Sequence, residues 1–405
     1  MNRFLSIAAR NLRRNTRRTL ISAATVFAGV CAIVWMQGFA DGFTNLIIED
    51  TVYGKVGALQ VHKRGWHDAD RSALEFDLPQ DPRFEARIRK VAGVTHVAPR
   101  ITFDGMLNNG KIATMFVATA IDPAQEDRVC PARRKDIAKG GQPLGPKSHA
   151  DALLGGQLAD SLSAGLDASL SVLATNRAGV ANALDVTVRG LLPSRFIVES
   201  KRSVVVPLAF AQELLGMDQR VTEYVVAVTD PDEVEQVATR LRAALGKDFE
   251  VETWRDLAPA QRDVVTQTRV VLGSITVILF ILVATGIANT MLMSVYERVR
   301  EIGTMMSVGT RRNQVVVLFL AEAGMLGLCG ALAGAVLGAT VVIALGHSGV
   351  VAHPPGGDPM TIHPVTTWAF VLRTMGLAVL GTLVAGMLPA WKAAHLRPAD
   401  ALRAT

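Results

Sequence analysis

Cysteine, aromatic rings and charge are all scarce in this chain of 405 residues. Cys31 and Cys329 sit inside apolar runs and Cys130 stands alone in the polar part, so neither a multi-disulfide scaffold nor a thiolate metal cluster fits. Aromatic residues make up only 5%. The net charge of +6 comes largely from arginines gathered beside apolar runs rather than from a basic patch interleaved with rings, which argues against nucleic acid as a partner. Charged residues are only 19% of the chain and hydrophobic ones 50%, with a positive mean hydropathy. That excess is concentrated in four long runs, the mark of an integral membrane protein.

The runs are Leu20–Ala40, Val270–Met293, Val315–Leu345 and Trp368–Ala390. Each is long enough to cross about 30 Å of hydrocarbon as a helix, and the third is over-long and has room to tilt. Basic residues set the orientation. Arg3, Arg10, Arg13, Arg14, Arg17 and Arg18 precede the first run, Arg298, Arg300, Arg311 and Arg312 lie between the second and third, and Lys392, Arg397 and Arg403 follow the fourth. The loop "GHSGVVAHPPGGDPMTIHPVTT" between the third and fourth has neither Lys nor Arg. Both termini and the loop 294–314 are therefore expected in the cytoplasm, with 41–269 and 346–367 outside. The opening "NTRRTL" and the small residues Gly38 and Ala40 also resemble a secretory signal, but the first run exceeds an h-region and its removal would leave an odd number of crossings.

Residues 41–269 hold no membrane-length run and read as an α+β domain. "DPRFEARIRKVAG" carries Phe84, Ile88 and Val91 at helical spacing. "VTHVAPRITFDGML" and "KIATMFVATAID" read as two strands joined through Asn109-Gly110. "RVTEYVVAVTD" and "DFEVETW" are strand-like and flank the helical "PDEVEQVATRLRAALG". Between these parts, about 145–212 is punctuated by Gly and Ser and β-rich at its end, as an inserted module within an α/β part of about 43–140 and 215–260.

Several stretches invite a chemical reading and fail it. "GGQPLGPKS" (140–148) misses the phosphate-loop spacing, because Pro146 separates Gly145 from Lys147 and no apolar strand precedes it. His347, His353, His363 and Asp358 match no ligand spacing. No G-x-S-x-G elbow or H-E-x-x-H helix occurs. No catalytic residue, metal ligand or directly bound cofactor is expected, and the chain reads as a non-enzyme. Glu322 is different: a carboxylate at membrane depth marks a functional candidate, which near the cytoplasmic edge could snorkel, pair with a basic residue of the adjacent loop, or couple to protons. Gly330, Gly334 and Gly338, with Gly327 nearby, place small residues where another helix can approach, either within the chain or in a dimer.

The loop "YERVREIGTMMSVGTRRNQV" (296–315) carries the functional signal. As a short helix it aligns Ile302, Met305 and Met306 on one stripe, with Glu297, Arg298, Arg300 and Glu301 at its start, Gly303 within it and Gly309 as a stop. A plain connection needs no apolar stripe, and a membrane-surface helix would carry more basic residues. A groove on a cytoplasmic partner suits it, with a surface helix or plain loop as the alternative.

The block "NTMLMSVYERVREIGTMMSVGTRRNQVVVLFLAEAGMLGLCGALAGAVLG" (289–338) resembles the FtsX-like permease domain of ABC transporters of the MacB and LolC/LolE type. "LPAWKAAHLRPADALR" (388–403) resembles that family's ending, and "AARNLRRNTRRTL" its cytoplasmic lead-in helix over 1–19. The resemblance implies a coupling helix over 296–309 seated in a separate ATPase subunit present in two copies, which binds the ATP and Mg. It implies a second permease chain, identical or paralogous, and an outer domain built of a porter-like part with a sabre-like insertion. It further implies a bacterial inner-membrane protein whose periplasmic domain moves when ATP is spent in the cytoplasm, in contact with membrane lipids and with a periplasmic lipoprotein, chaperone or adaptor. "YGKVGALQVHKRGWHDAD" (53–70) looks closer to the lipoprotein-releasing branch than to the macrolide-efflux branch. Efflux of antibiotics, peptides or toxins is the first alternative. An FtsX-like regulator of cell-wall hydrolases and a membrane sensor are the others.

Overall fold

The computed structural model describes residues 16–66, 73–135, 137–138, 140–192, 200–353 and 358–395. Most of the lead-in segment 1–19 and of the tail 391–405 lies outside the described residues. The chain divides into two units: Met1–Thr44 with Val265–Val350 and Thr361–Thr405, and Asn45–Val264 with Val351–Met360.

The first unit is helical. Its long helices are Thr16–Ile48, Pro259–Glu297, Arg312–Ser348 and Trp368–Ala394, the first and second extending into the other unit. Each contains one of the four apolar runs, and each extends past it at one end or both. The first continues as π-helical turns over Glu49–Val56. Large apolar side chains face outward along these helices, among them Ile278, Leu282, Leu332, Leu380 and Val384 at more than half exposure. In water such a surface would be untenable; in lipid it needs no cover. The inward sides meet through Val26, Val30, Val34, Ile287, Phe319, Ala323, Ala335 and Ala378.

The second unit is α/β, built on one nine-stranded mixed sheet. Its strands are β1 (Leu59–Lys63), β2 (Val94–Asn108), β3 (Ala113–Ile121), β4 (Asp151–Gly155), β5 (Ser169–Thr175), β6 (Ala181–Leu192), β7 (Ser203–Pro207), β8 (Glu223–Val228) and β9 (Phe249–Thr253). Their spatial order is β9-β1-β8-β2-β3-β7-β4-β6-β5. The Asn109-Gly110 hairpin joins β2 to β3: Gly110 has φ +87° and the Asn109 Oδ1 accepts from the N–H groups of Lys111 and Ile112.

The long β2 changes partners along its length. On one edge its first half pairs with β8, from Val94↔Val228 to Arg100↔Glu223, and its last residues pair with β5, Met106↔Leu173 to Asn108↔Ser171. The other edge pairs with β3. Since β3 leads through β7, β4 and β6 back to β5, six strands close into a ring. The sheet thus forks at β2 into an open lobe of β9, β1 and β8 and a closed lobe holding the inserted segment. Pro82–Arg89 and Val234–Leu245 bury Ile88, Val237, Ala238 and Leu241 in the main core. The helices Pro123–Val129, Ala132–Lys135, Gly156–Ser161 and Leu208–Leu215 and strands β1, β4 and β5 have no counterpart in the sequence reading. They are short, and short apolar segments carry little periodicity.

Candidate functional site

The loop after the second long helix folds into the short helix Val299–Ser307, and Gly309 takes φ +99° where the chain turns away. Its apolar stripe is not a free face. Ile302 is 1% exposed within the helical unit's core, Gly303 is buried, and Met305 and Met306 pack against the same cluster. The expectation that this stripe enters a partner's groove therefore needs correction: burying it on the chain's own helices is what fixes the short helix in place. Arg300, Thr304, Ser307, Val308 and Gly309 are exposed, Val308 at 89%.

Arg298 anchors the same helix from below. Buried at its N-cap, it donates from Nη1 to Glu322 Oε2 at 3.3 Å and lies 3.4 Å from Glu301 Oε2. Glu322 is itself only 6% exposed. A buried ion pair fixes register more than it adds stability; here it ties the loop helix to the third long helix. Glu297 is exposed on the last turn of the second long helix.

Gly327, Gly330, Gly334 and Gly338 are buried along the third long helix. A Cβ at Gly330 would lie 2.8 Å from Ala23 O, one at Gly334 2.5 Å from Phe27 O, and one at Gly338 3.2 Å from Cys31 O. These three admit the first helix's backbone, and Gly327 admits the Thr382 side chain of the fourth helix. The stripe is covered within the chain, which leaves the dimer alternative no surface there. In "GGQPLGPKS" the N–H of Gly145 donates to Ser148 Oγ at 3.1 Å in a turn. His363 Nδ1 lies 2.9 Å from Gly346 O, and no cluster of metal-ligating side chains occurs among the described residues.

Sequence reasoning missed a second constellation, in the α/β unit. A helix ends with carbonyls that lack partners, and here side chains of the sheet and its helices supply them. Cys130 Sγ donates to Val52 O at 3.4 Å, Arg133 Nε to Gly54 O at 3.1 Å, Arg100 Nη1 and Arg133 Nη2 to Lys55 O at 2.7 Å each, and Gln60 Nε2 to Val56 O at 2.7 Å. Cations at this end also complement the helix dipole. Gly57 at φ +79° then stops the π-helical turns.

Glu126 organises this clamp. It accepts from Arg100 Nε at 3.0 Å and Nη2 at 2.5 Å, a two-pronged pair, and lies 3.4 Å from Arg133 Nε. Burial alone would push the Glu126 carboxyl up, but Arg100 and Arg133 hold it below the ordinary range. Burial pushes the Arg133 guanidinium down, whereas Glu126 overcomes the same burial at Arg100 and holds it above its usual value. Glu223 faces the group from β8 and accepts from Thr102 Oγ1 at 3.0 Å; burial pushes its carboxyl up. The one sequence signal for all this is Arg100 itself, a charge inside the apolar strand "HVAPRITF".

The MacB-like periplasmic core domain family matches residues 19–244, more than half of the chain, and the FtsX-like permease C-terminal family matches 273–398. An ABC transporter permease of Methanocaldococcus jannaschii is 28% identical over 213 residues, 51% of this chain and 51% of that one. The macrolide export ATP-binding/permease protein MacB of Nitrobacter winogradskyi is 28% identical over 408 residues, 96% of this chain and 58% of that one. The pyoverdine export ATP-binding/permease protein PvdT of Pseudomonas syringae pv. tomato is 31% identical over 211 residues, 51% of this chain and 30% of that one. The chain spans about half the length of the first two of these relatives and less than a third of the third. With four membrane-length helices among the described residues, a large α/β unit and both family matches, this chain belongs to the MacB/FtsX-type permeases of ABC transporters.

Proposed function

We propose that this chain transmits motion driven by a cytoplasmic ABC ATPase to a periplasmic α/β unit. The observation that carries the reading is the helix Val299–Ser307: its inner face is sealed on the span helices and tied down by Arg298–Glu322, while Arg300, Thr304 and Val308 stand outward. A rigidly seated wedge moves the helices it sits on when a partner grips its outer face. The clamp on Glu49–Val56 supports the other end of the path, because side chains of the α/β unit hold the turns that continue the first helix. In this reading both termini and the wedge are cytoplasmic, two ATPase copies bind ATP and Mg, and a second permease chain completes the complex.

Efflux of an antibiotic, peptide or toxin, with a periplasmic adaptor, is the cargo reading to which the names of the macrolide and pyoverdine exporters lend support. Lipoprotein release, to which 53–70 pointed, is weaker. Over its described part, that segment's residues have structural duties: Lys55 O is clamped, Gly57 has no room for a Cβ beside Val225, and His62 is buried on β1. The test is co-production with the cognate ATPase and purification by the permease. Val308→Asp and Arg300→Glu are expected to lower ATPase recovery at least tenfold with the permease still folded. Full recovery with both variants would refute the docking surface.

A further inference from the structure

A cleft of about 600 Å³ opens at the fork of the sheet, lined by residues of β1, β2, β3, β7 and β8 and of the clamped π-helical turns. Its size is that of a small-molecule site. Part of the wall is apolar, with Val56, Val117, Val205 and Leu257. The rest carries four cations, Lys55, Arg100, Arg133 and Arg202. Asp50 and Glu223 oppose them on the wall, and Glu126 pairs with the two buried arginines. Asp50 takes Lys55 at 2.9 Å, and burial raises the Glu223 carboxyl, which lessens its negative charge. Arg202 is exposed and has no ion-pair partner among the described residues. Thr51 adds an independent pointer. It lines the cleft at 1% exposure, and its hydroxyl meets no hydrogen-bond partner among the described residues. Buried polar groups nearly always have a partner, so this hydroxyl is placed to take one from an occupant of the cleft, be it water or a ligand.

We propose that this cleft binds a single-chain anionic amphiphile, its head taken by the cationic and hydroxyl groups of the wall and its chain laid along the apolar residues. A fatty carboxylate and a lysophospholipid phosphodiester share this chemistry. The proposal does not depend on the transport reading, since it concerns one cleft within the α/β unit. Thr51 and Lys55 belong to the clamped turns, so an occupant touches the end of the first helix directly.

The test uses the full chain in phosphatidylcholine nanodiscs with three diazirine probes: dodecanoate, lysophosphatidylglycerol and dodecyltrimethylammonium. After irradiation, adducts are mapped by peptide mass spectrometry. The expected result is saturable labelling of the peptides holding Val117 and Leu257 by an anionic probe and not by the cationic one. Arg202→Gln and Thr51→Val should each weaken that labelling at least fivefold. Labelling by dodecanoate alone identifies a free acid as the ligand, and labelling by the lysolipid alone identifies a lipid headgroup. Equal cleft labelling by anionic and cationic probes, labelling confined to the span helices, or wild-type labelling of both variants would overturn the proposal.

Discussion

Removing the carboxylate of Glu126 should open the clamp on the first helix's end. In Glu126→Ala, Arg100 and Arg133 keep their carbonyl partners but lose the carboxylate that pairs with both of them, at 1% and 8% exposure. Breaking a buried pair by deleting one partner costs about 3–5 kcal/mol, and each 1.4 kcal/mol is about a factor of ten. Local opening should therefore become about 10² to 4 × 10³ times more frequent. Cys130 reports it directly: it is fully buried and lies 3.0 Å from Arg100 Nη2. In a background with Cys31 and Cys329 replaced by Ala, the rate of Cys130 modification by a thiol reagent under native conditions reads the opening. Glu126→Gln, which keeps shape and loses charge, should fall between the wild type and Glu126→Ala. Modification rates within threefold of wild type in both variants would refute the buried-charge reasoning.

Other expectations concern the same cluster and the helical unit. Glu126 has a lowered folded-state pKa, so its contribution is present above the unfolded value of about 4.3 and fades as the pH falls through the folded value. Glu223 is raised, so stability present below about pH 4.3 is lost as the pH rises through its folded pKa. Denaturant unfolding should thus find Glu126→Gln without the acid-side loss and Glu223→Gln at least as stable as wild type at pH 8. Gly334→Leu, placed against Phe27 O, should destabilise the helical unit by about 1–3 kcal/mol, measured by thermal unfolding in detergent. Arg298→Met should cost about 3–5 kcal/mol, and adding Glu322→Gln should recover part of it; strict additivity of the two would show that the buried pair is not coupled.

Much of this architecture could be read in the chain because membrane spans and hairpins announce themselves locally. Four apolar runs and the Asn109-Gly110 turn needed no tertiary information. The fork of the sheet did, since nothing local in β2 says that one edge serves β8 and then β5. Nor does periodicity distinguish Arg100 in a solvated strand from Arg100 beneath a helix end; partners 26 and 45 residues away decide that. The stripe of Ile302, Met305 and Met306 shows the converse limit. Its spacing was legible, but a greasy face on a short helix fits its own neighbours as well as a stranger's groove, and only packing shows which side it meets.

The most direct test of the account is site-specific photocrosslinking from the wedge in cells that also produce the ATPase. A photoreactive residue at Val308, which is 89% exposed, should capture the ATPase in a nucleotide-dependent manner, and one at Ile302 should not. Modification of a cysteine at position 308 by a membrane-impermeant reagent added outside intact spheroplasts, with no ATPase adduct from either position, would contradict it.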